Sequence, residues 1–373
     1  MGDRSAALAD SFRPAESGTR GGAAMTAGAP GGHVIEGVAL RGIVSGAPRG
    51  VVGNDGFEDR FGAEAVAEVV KMIGVEQRRI ARPEQTTADL CFEAAKVLIE
   101  RLGWASDSID GLIFVSQTPD YRLPATACSL HGRLGLAPHC QAFDVALGCS
   151  GYVYGLWLAS TLVKAGLRRV LVLAGDTSSR LVDPDDRATA LLFGDAGSAT
   201  ALEADADAAP IYFRLGSDGA GARHLVVPEG AYRTAEADER WGEGFDPTHL
   251  YMDGAEVFTF TLRAVPRLVR ETLEDAGLSA TDVDFYALHQ ANRFMLRHLA
   301  KKIGAGEERV PINIERFGNT SSATIPLLLT TDLATRITRE RTRLMLVGFG
   351  VGFSWGAALI DAAPLRVAET IEP

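Results

Sequence analysis

Cysteine is scarce in this chain of 373 residues: there are four, at positions 91, 128, 140 and 149. None forms a CxxC pair. Cys128 and His131 share a helical i,i+3 spacing and His139 adjoins Cys140, but two ligands do not close a zinc site, so no metal is expected. So few cysteines also exclude a disulfide scaffold and suit free thiols in a reducing cytoplasm. Positive charge is in deficit: 37 Lys and Arg against 48 Asp and Glu, a net charge of -11. That argues against nucleic acid and anionic membranes as main partners. No apolar run approaches the ~18 residues of a membrane-spanning helix. Residues 1–32 lack aliphatic periodicity and lack the continuous apolar core of a secretory signal. Rich in Gly, Ala, Ser and Thr, they are expected to form a disordered tail, with Met25 as an alternative start. The remaining length, with 46% hydrophobic residues overall, allows one large or two medium domains around a substantial core.

What is present is a duplication. Gly111–Gln117, Gln141–Gly151 and Arg169–Gly175 line up on Phe285–Asn292, Val310–Ser321 and Arg343–Gly350, at an offset near about 170 residues. Apolar runs at 111–116, 142–147 and 169–175 read as strands buried on both faces. Helices are predicted at 61–72, 87–102 (capped by Thr86 or Thr87), 124–136, 150–165, 254–276 and 321–337. Residues 196–203 and 210–217 read as a strand pair. Residues 219–250 read as a long flap, and 343–349 against 352–361 as a hairpin.

Under that duplication, Cys149 falls opposite Asn319, and His289 ends the strand matching 111–117. A pseudo-twofold arrangement would bring the three together. Cys149 stands at a strand-to-helix turn, where free helix amides are expected to lower its thiol pKa. The competing reading is a small buried hydrophobe. His289 ends Phe-Tyr-Ala-Leu and could donate to a thioester oxygen or exchange a proton with a thiol. Its competing reading is a satisfied histidine; Asn292, three residues on, reads as a helix cap. Asn319 reads either as a turn residue or as a second donor beside His289, where two donors on one oxygen would stabilise an enolate or oxyanion. The glycine-spaced stretch Gly348–Gly356 joins strand to strand, so it is no dinucleotide fingerprint. The backbone N–H groups of Gly350, Val351 and Gly352 would instead make an oxyanion hole near Cys149. Arg293, Arg297 and Lys301 share one helical face, either a solvated face or a docking patch for an acidic partner.

Six stretches resemble one family: Gly74-Val-Glu-Gln-Arg-Arg-Ile80, Asp144-Val-Ala-Leu-Gly-Cys149-Ser-Gly, Phe193-Gly-Asp-Ala-Gly197, His289-Gln-Ala-Asn292, Gly318-Asn-Thr-Ser-Ser-Ala323 and Gly350-Val-Gly-Phe-Ser-Trp-Gly356. In order and spacing they resemble the 3-oxoacyl-[acyl-carrier-protein] synthases III of the thiolase superfamily, from about 35 to 362. The resemblance implies an α/β thiolase fold, a five-layer αβαβα built from two duplicated halves. The Cys half would span 33–206, the His and Asn half 207–373, and the enzyme would be a cytoplasmic homodimer without a metal or organic cofactor. It further implies that Cys149 accepts an acyl group from an acyl-CoA or acyl-carrier-protein primer. His289 and Asn319 would hold malonyl-ACP as it loses CO2, and the enolate would attack the acyl-cysteine. Arg187 matches an adenine neighbour of the family's coenzyme A site. Glu68 falls where the family commonly has a stacking Trp, which favours carrier-bound donors. Leu123 falls where a Phe commonly reaches into the partner's acyl pocket. Three other readings remain at this point. One is acyl transfer from Cys149 to a hydroxyl or amine of a sugar or natural product. Another is a plant-type polyketide synthase, which Gln290-Ala-Asn292 fits poorly. The last is an inactive binding partner. A thiolase proper would need a second cysteine in the terminal glycine turn, and 348–356 has none.

Overall fold

The computed structural model describes residues 31–234, 238–242 and 244–373. Most of the expected tail, Met25 included, lies outside them. Two sheets organise the chain. The six-stranded sheet runs, edge to edge, Val367–Ile371, Val38–Gly46, Asp195–Ala204, Arg169–Thr177, Gly111–Val115 and Gln141–Val145. The five-stranded sheet runs Gly32–Ile35, Ile211–Ser217, Ser354–Ala362, Thr342–Gly350 and Phe285–Leu288. The same local order appears twice. Arg169–Thr177 lies between parallel Gly111–Val115 and antiparallel Asp195–Ala204. Thr342–Gly350 lies between parallel Phe285–Leu288 and antiparallel Ser354–Ala362. The terminal strands exchange sheets: Gly32–Ile35 edges the C-terminal sheet and Val367–Ile371 the N-terminal one.

The strand sequences explain the layering. Alternate residues of one strand enter different cores: Ile113 and Val115 face one cluster, Leu112 and Phe114 another. Leu344 and Leu346 likewise part from Met345 and Val347. A strand apolar on both faces needs a helix layer on each side. The helices Gly151–Lys164 and Thr324–Thr331 fill the space between the sheets, where Tyr152, Leu156 and Leu328 meet side chains of both. Thr87–Leu102 covers the outside of the first sheet, and Gly254–Ala276 with Arg293–Ile303 the outside of the second. The result is the five-layer αβαβα thiolase fold.

Several elements differ from the sequence reading. The helix expected over 61–72 is two, Asp55–Phe61 and Ala63–Ile73, parted at Gly62 with φ +85°. Asp195–Ala204 and Ile211–Ser217 do not pair with each other; they belong to different sheets, because the connection between them crosses from one half to the other. Residues 310–313 form no strand, so the second sheet lacks a counterpart to Gln141–Val145. The helix expected over 321–337 breaks into a short turn at Ser321–Ala323, then Thr324–Thr331 and Ala334–Arg339. Thr87–Leu102 and Gly254–Ala276 stand as expected. Thr86 caps the first in a reciprocal capping box with Asp89.

Candidate active site

The two halves meet at the C-terminal ends of their central strands. Cys149 follows the edge strand Gln141–Val145 and precedes the helix Gly151–Lys164. The hairpin of the second half lies directly on it. A side chain at Gly350 (φ +153°) would place its Cβ 2.7 Å from Cys149 Cβ and 2.9 Å from Sγ. Glycine is therefore required there by close approach as well as by backbone conformation.

Cys149 is buried, and burial pushes its thiol up to about 11. The Val351 N–H and the Ser321 hydroxyl act the other way, while the charge of Asp176 adds to the rise. The pKa lowering expected from the helix terminus does not prevail. Two of the first helical amides are occupied: Gly151 N–H donates to Gly148 O at 2.7 Å, and Val153 N–H to Ser150 O at 3.1 Å. The amides that favour the thiolate come instead from Val351, in the other half, and from Cys149 itself. Cys149 thus rests as a neutral thiol.

His289 extends Phe285–Leu288 by one residue, its N–H donating to Val347 O at 2.8 Å. Burial lowers its imidazole to about 3, so it is neutral at rest. Nδ1 lies 2.7 Å from Thr324 Oγ1, whose hydroxyl donates to Ser321 O at 3.0 Å. With that proton committed, Nδ1–H is the donor to Thr324, and Nε2 keeps its lone pair.

Asn319 is fixed by its backbone. Its N–H donates to Leu192 O at 2.9 Å, and its carbonyl accepts from Gly194 N–H at 3.1 Å. Its Oδ1 accepts from Ser321 N–H at 3.0 Å. Neither Thr320 nor Ser321 caps the following turn through its side chain. With Oδ1 so engaged, Nδ2 is left as a donor without a partner among the described residues. Asn292 caps the helix Arg293–Ile303, accepting from Met295 N–H at 2.7 Å.

Ser321 is thus common to all three positions: its amide donates to Asn319 Oδ1, its carbonyl accepts from the Thr324 hydroxyl that holds His289, and its hydroxyl lowers the Cys149 thiol against the pull of burial. Among the described residues it is the one non-glycine at positive φ, +50°. The sequence reading missed it, since nothing in Asn-Thr-Ser-Ser marks which serine takes that conformation. It also missed Thr324 and Asp176. Asp176 carried a readable signal: a carboxylate ending the apolar run Val170–Gly175.

The remaining candidates are more scattered. Leu123 is 76% exposed and stands near exposed Tyr121. Arg187 is exposed at the start of a four-residue helix. Arg297 and Lys301 are exposed and make no ion pair among the described residues. Arg293 is tied down: it donates to Gly74 O at 3.0 Å and lies 3.7 Å from Glu76. Glu68 is exposed on Ala63–Ile73. No group of three His, Cys, Asp or Glu side chains is placed to hold a metal, and no helix is long and apolar enough to cross a membrane, among the described residues.

Profiles of the 3-oxoacyl-[acyl-carrier-protein] synthase III family match residues 143–219, and of its C-terminal part residues 273–362. A beta-ketoacyl-[acyl-carrier-protein] synthase III of Mesorhizobium japonicum is 35% identical, over 86% of this chain and 98% of its own. The chain belongs to the 3-oxoacyl-[acyl-carrier-protein] synthase III family. A crystal structure of a 3-oxoacyl-(acyl-carrier protein) synthase from Burkholderia xenovorans superposes with a TM-score of 0.90. It shares 51% identity and covers 92% of this synthase III chain and 99% of its own. The priming beta-ketosynthase of the R1128 polyketide pathway follows the same fold at 28% identity and a TM-score of 0.76, over 88% and 98% of the two chains.

Proposed function

We propose that this chain catalyses the decarboxylative Claisen condensation of an acyl thioester primer with malonyl-ACP through an acyl group on Cys149. The observation that carries the reading is the convergence of Cys149, His289 and Asn319 on Ser321, in a family of condensing enzymes. In the first half-reaction His289 Nε2 takes the thiol proton, and sulfur attacks the thioester carbonyl. The Val351 N–H faces the oxyanion. The tetrahedral adduct expels the primer's thiolate, which recovers the proton from His289. A buried imidazolium is costly, so it exists only while paired with that negative charge.

In the second half-reaction the malonyl thioester oxygen lies between Asn319 Nδ2–H and His289 Nε2–H. That needs the other histidine tautomer. Between the half-reactions the imidazole exchanges its one ring proton with solvent, losing it from Nδ1 and gaining one at Nε2, and the Thr324 hydroxyl, which can both donate and accept, turns to donate to Nδ1. CO2 departs, and the enolate carbon attacks the acyl-cysteine carbonyl. A C–C bond forms, the S–C bond breaks, and the Cys149 thiolate takes up one proton from solvent.

The primer would come from acyl-CoA or acyl-ACP, with Arg187 near a nucleotide and the face of Arg297 and Lys301 toward an acidic carrier. The proposed assembly is a homodimer in the cytoplasm. Transfer to a hydroxyl or amine would use the same cysteine. The relatives, named as synthases, favour condensation. Intact-mass measurement with a panel of acyl-CoAs and acyl carrier proteins, followed by malonyl-ACP, tests this. An adduct on Cys149 should appear and then vanish with CO2 release. An adduct discharged to alcohols or amines without CO2 would replace the reading.

A further inference from the structure

Gln117 is a polar side chain beside the nucleophile that no step of the condensation uses. It follows the strand Gly111–Val115. Its backbone is fixed to the site: Gln117 N–H donates to Asp176 Oδ1 at 2.7 Å. Asp176 Oδ2 in turn accepts from Ser322 Oγ at 2.9 Å, in the turn that follows Asn319. The side chain then lies over Gly148. A side chain at Gly148 would place its Cβ 2.3 Å from Gln117 Oε1 and 3.1 Å from Val351 Cγ1. Glycine at 148 therefore makes room for both. Consecutive Cα atoms lie about 3.8 Å apart, so the Gln117 oxygen is within about 8 Å of Cys149 Cα, a distance that the first carbons of an acyl chain span. The Gly350 side of Cys149 is closed by backbone. The Gln117 side is open, with Gln117 and Ala146 both exposed. Val351 is a fixed wall there. Its carbonyl accepts from Ser354 Oγ at 2.7 Å, and Ser354 Oγ lies 2.7 Å from Ser150 Oγ. The Gln117 carboxamide, by contrast, has no hydrogen-bond partner among the described residues.

We propose that Gln117 is a specificity-determining residue for the primer, selecting a short acyl chain that carries a hydroxyl on its second or third carbon. A carboxamide offers an acceptor oxygen and two N–H donors. A hydroxyl complements both, donating to Oε1 and accepting from Nε2–H. An acyl chain drawn from Cys149 between Gln117 and Val351 displaces water from that carboxamide. A plain alkyl chain returns no hydrogen bond for the water it removes; a hydroxyacyl chain does. A site with a polar group to satisfy discriminates against the analogue that lacks the matching hydroxyl. The Val351 wall limits the room beside the sulfur and so favours a short chain. The inference deepens the acyl-cysteine reading and rests on it.

Competition between small thioesters tests it. Butyryl, 2-hydroxybutyryl and 3-hydroxybutyryl N-acetylcysteamine thioesters carry neither nucleotide nor carrier protein, so donor recognition drops out. Acylation of Cys149 is followed by intact mass and peptide mapping. Each rate is divided by that of the same thioester with free N-acetylcysteine, which removes intrinsic reactivity. One neutral hydrogen bond changes such a ratio by up to about tenfold. The wild-type protein should favour one of the hydroxyacyl donors over butyryl by about that factor. Gln117→Met keeps the length of the side chain and removes its polar atoms, and should bring the ratio to about one. If Gln117→Met lacks the thermal stability of the wild type, Gln117→Ala reads the same ratio. An equal ratio in wild type and variant, or a wild-type preference for butyryl, would overturn the proposal and leave Cys149 as the nucleophile. No adduct on Cys149 from any of the three donors would overturn the acyl-cysteine reading and this inference with it.

Discussion

Cys149 and His289 are both held neutral by burial, and that sets the pH behaviour of the first half-reaction. With a thiol near about 11, the thiolate fraction grows tenfold per pH unit. Iodoacetamide alkylation of the resting enzyme should therefore climb steadily from pH 7 to 10 without a plateau; a plateau near pH 7 would restore the helix-terminus reading. Cys149→Ala should abolish the acyl adduct, and an adduct on Cys91, Cys128 or Cys140 would displace the assignment. In the proposed reaction Asn319 acts only in the second half, and His289 in both. Losing one donor to a developing oxyanion costs ~10²–10³ in rate. Asn319→Ala should lower CO2 release from malonyl-ACP by that factor while sparing acylation, and His289→Ala should lower both CO2 release and acylation, because His289 also takes the thiol proton. His289 also makes stability acid-sensitive. Its folded pKa, about 3, lies below the ordinary 6.5, so the stability it contributes is complete above pH 6.5 and declines toward pH 3. His289→Gln should flatten that part of a denaturant-midpoint profile.

The helix Arg293–Ile303 sets its partly buried Arg293 apart from the exposed Arg297 and Lys301. A free surface charge acts over a Debye length of ~8 Å at physiological salt. Arg297→Glu with Lys301→Glu should slow reaction with acyl-ACP or malonyl-ACP at low salt and leave acyl-CoA acylation nearly unchanged. Equal effects on both donors would show that this face does not dock the carrier. Arg293 is unsuited to the same test, because it fastens the helix to Gly74. That distinction was invisible in the sequence, where all three cations share one face. Periodicity gave Thr87–Leu102 and Gly254–Ala276, and strand composition gave the central strands. It could not show that Asp195–Ala204 and Ile211–Ser217 part company, because sheet membership is decided by long-range pairing. The positions of Cys149, His289 and Asn319 were legible from the internal repeat. The Ser321 turn that joins them was not, since a left-handed serine leaves no compositional trace.

The two sheets share one strand order apart from an extra strand at one edge, and that edge bears on assembly. Gln141–Val145 pairs with Gly111–Val115 on one side and has no strand on the other. It carries Ala142, Phe143 and Val145, and it leads straight to Cys149. Open, apolar edge strands are ordinarily covered. Beside it lie Tyr121 and Leu123, 60% and 76% exposed, in the segment before the helix Thr126–Arg133. The first two amides of that helix, from Thr126 and Ala127, donate to Asp144 at 2.7 Å each, fixing the segment to the edge strand. Edge and apolar segment thus form one surface suited to a second copy of the chain. A homodimer joined there would also place Leu123 against the partner's acyl pocket. If the proposed homodimer forms there, Tyr121→Asp with Leu123→Asp should leave the chain a monomer in light scattering and lower condensation activity, while near-native circular dichroism is retained. A wild-type chain that stays monomeric at micromolar concentration with full activity would remove both the interface and the proposed role of Leu123.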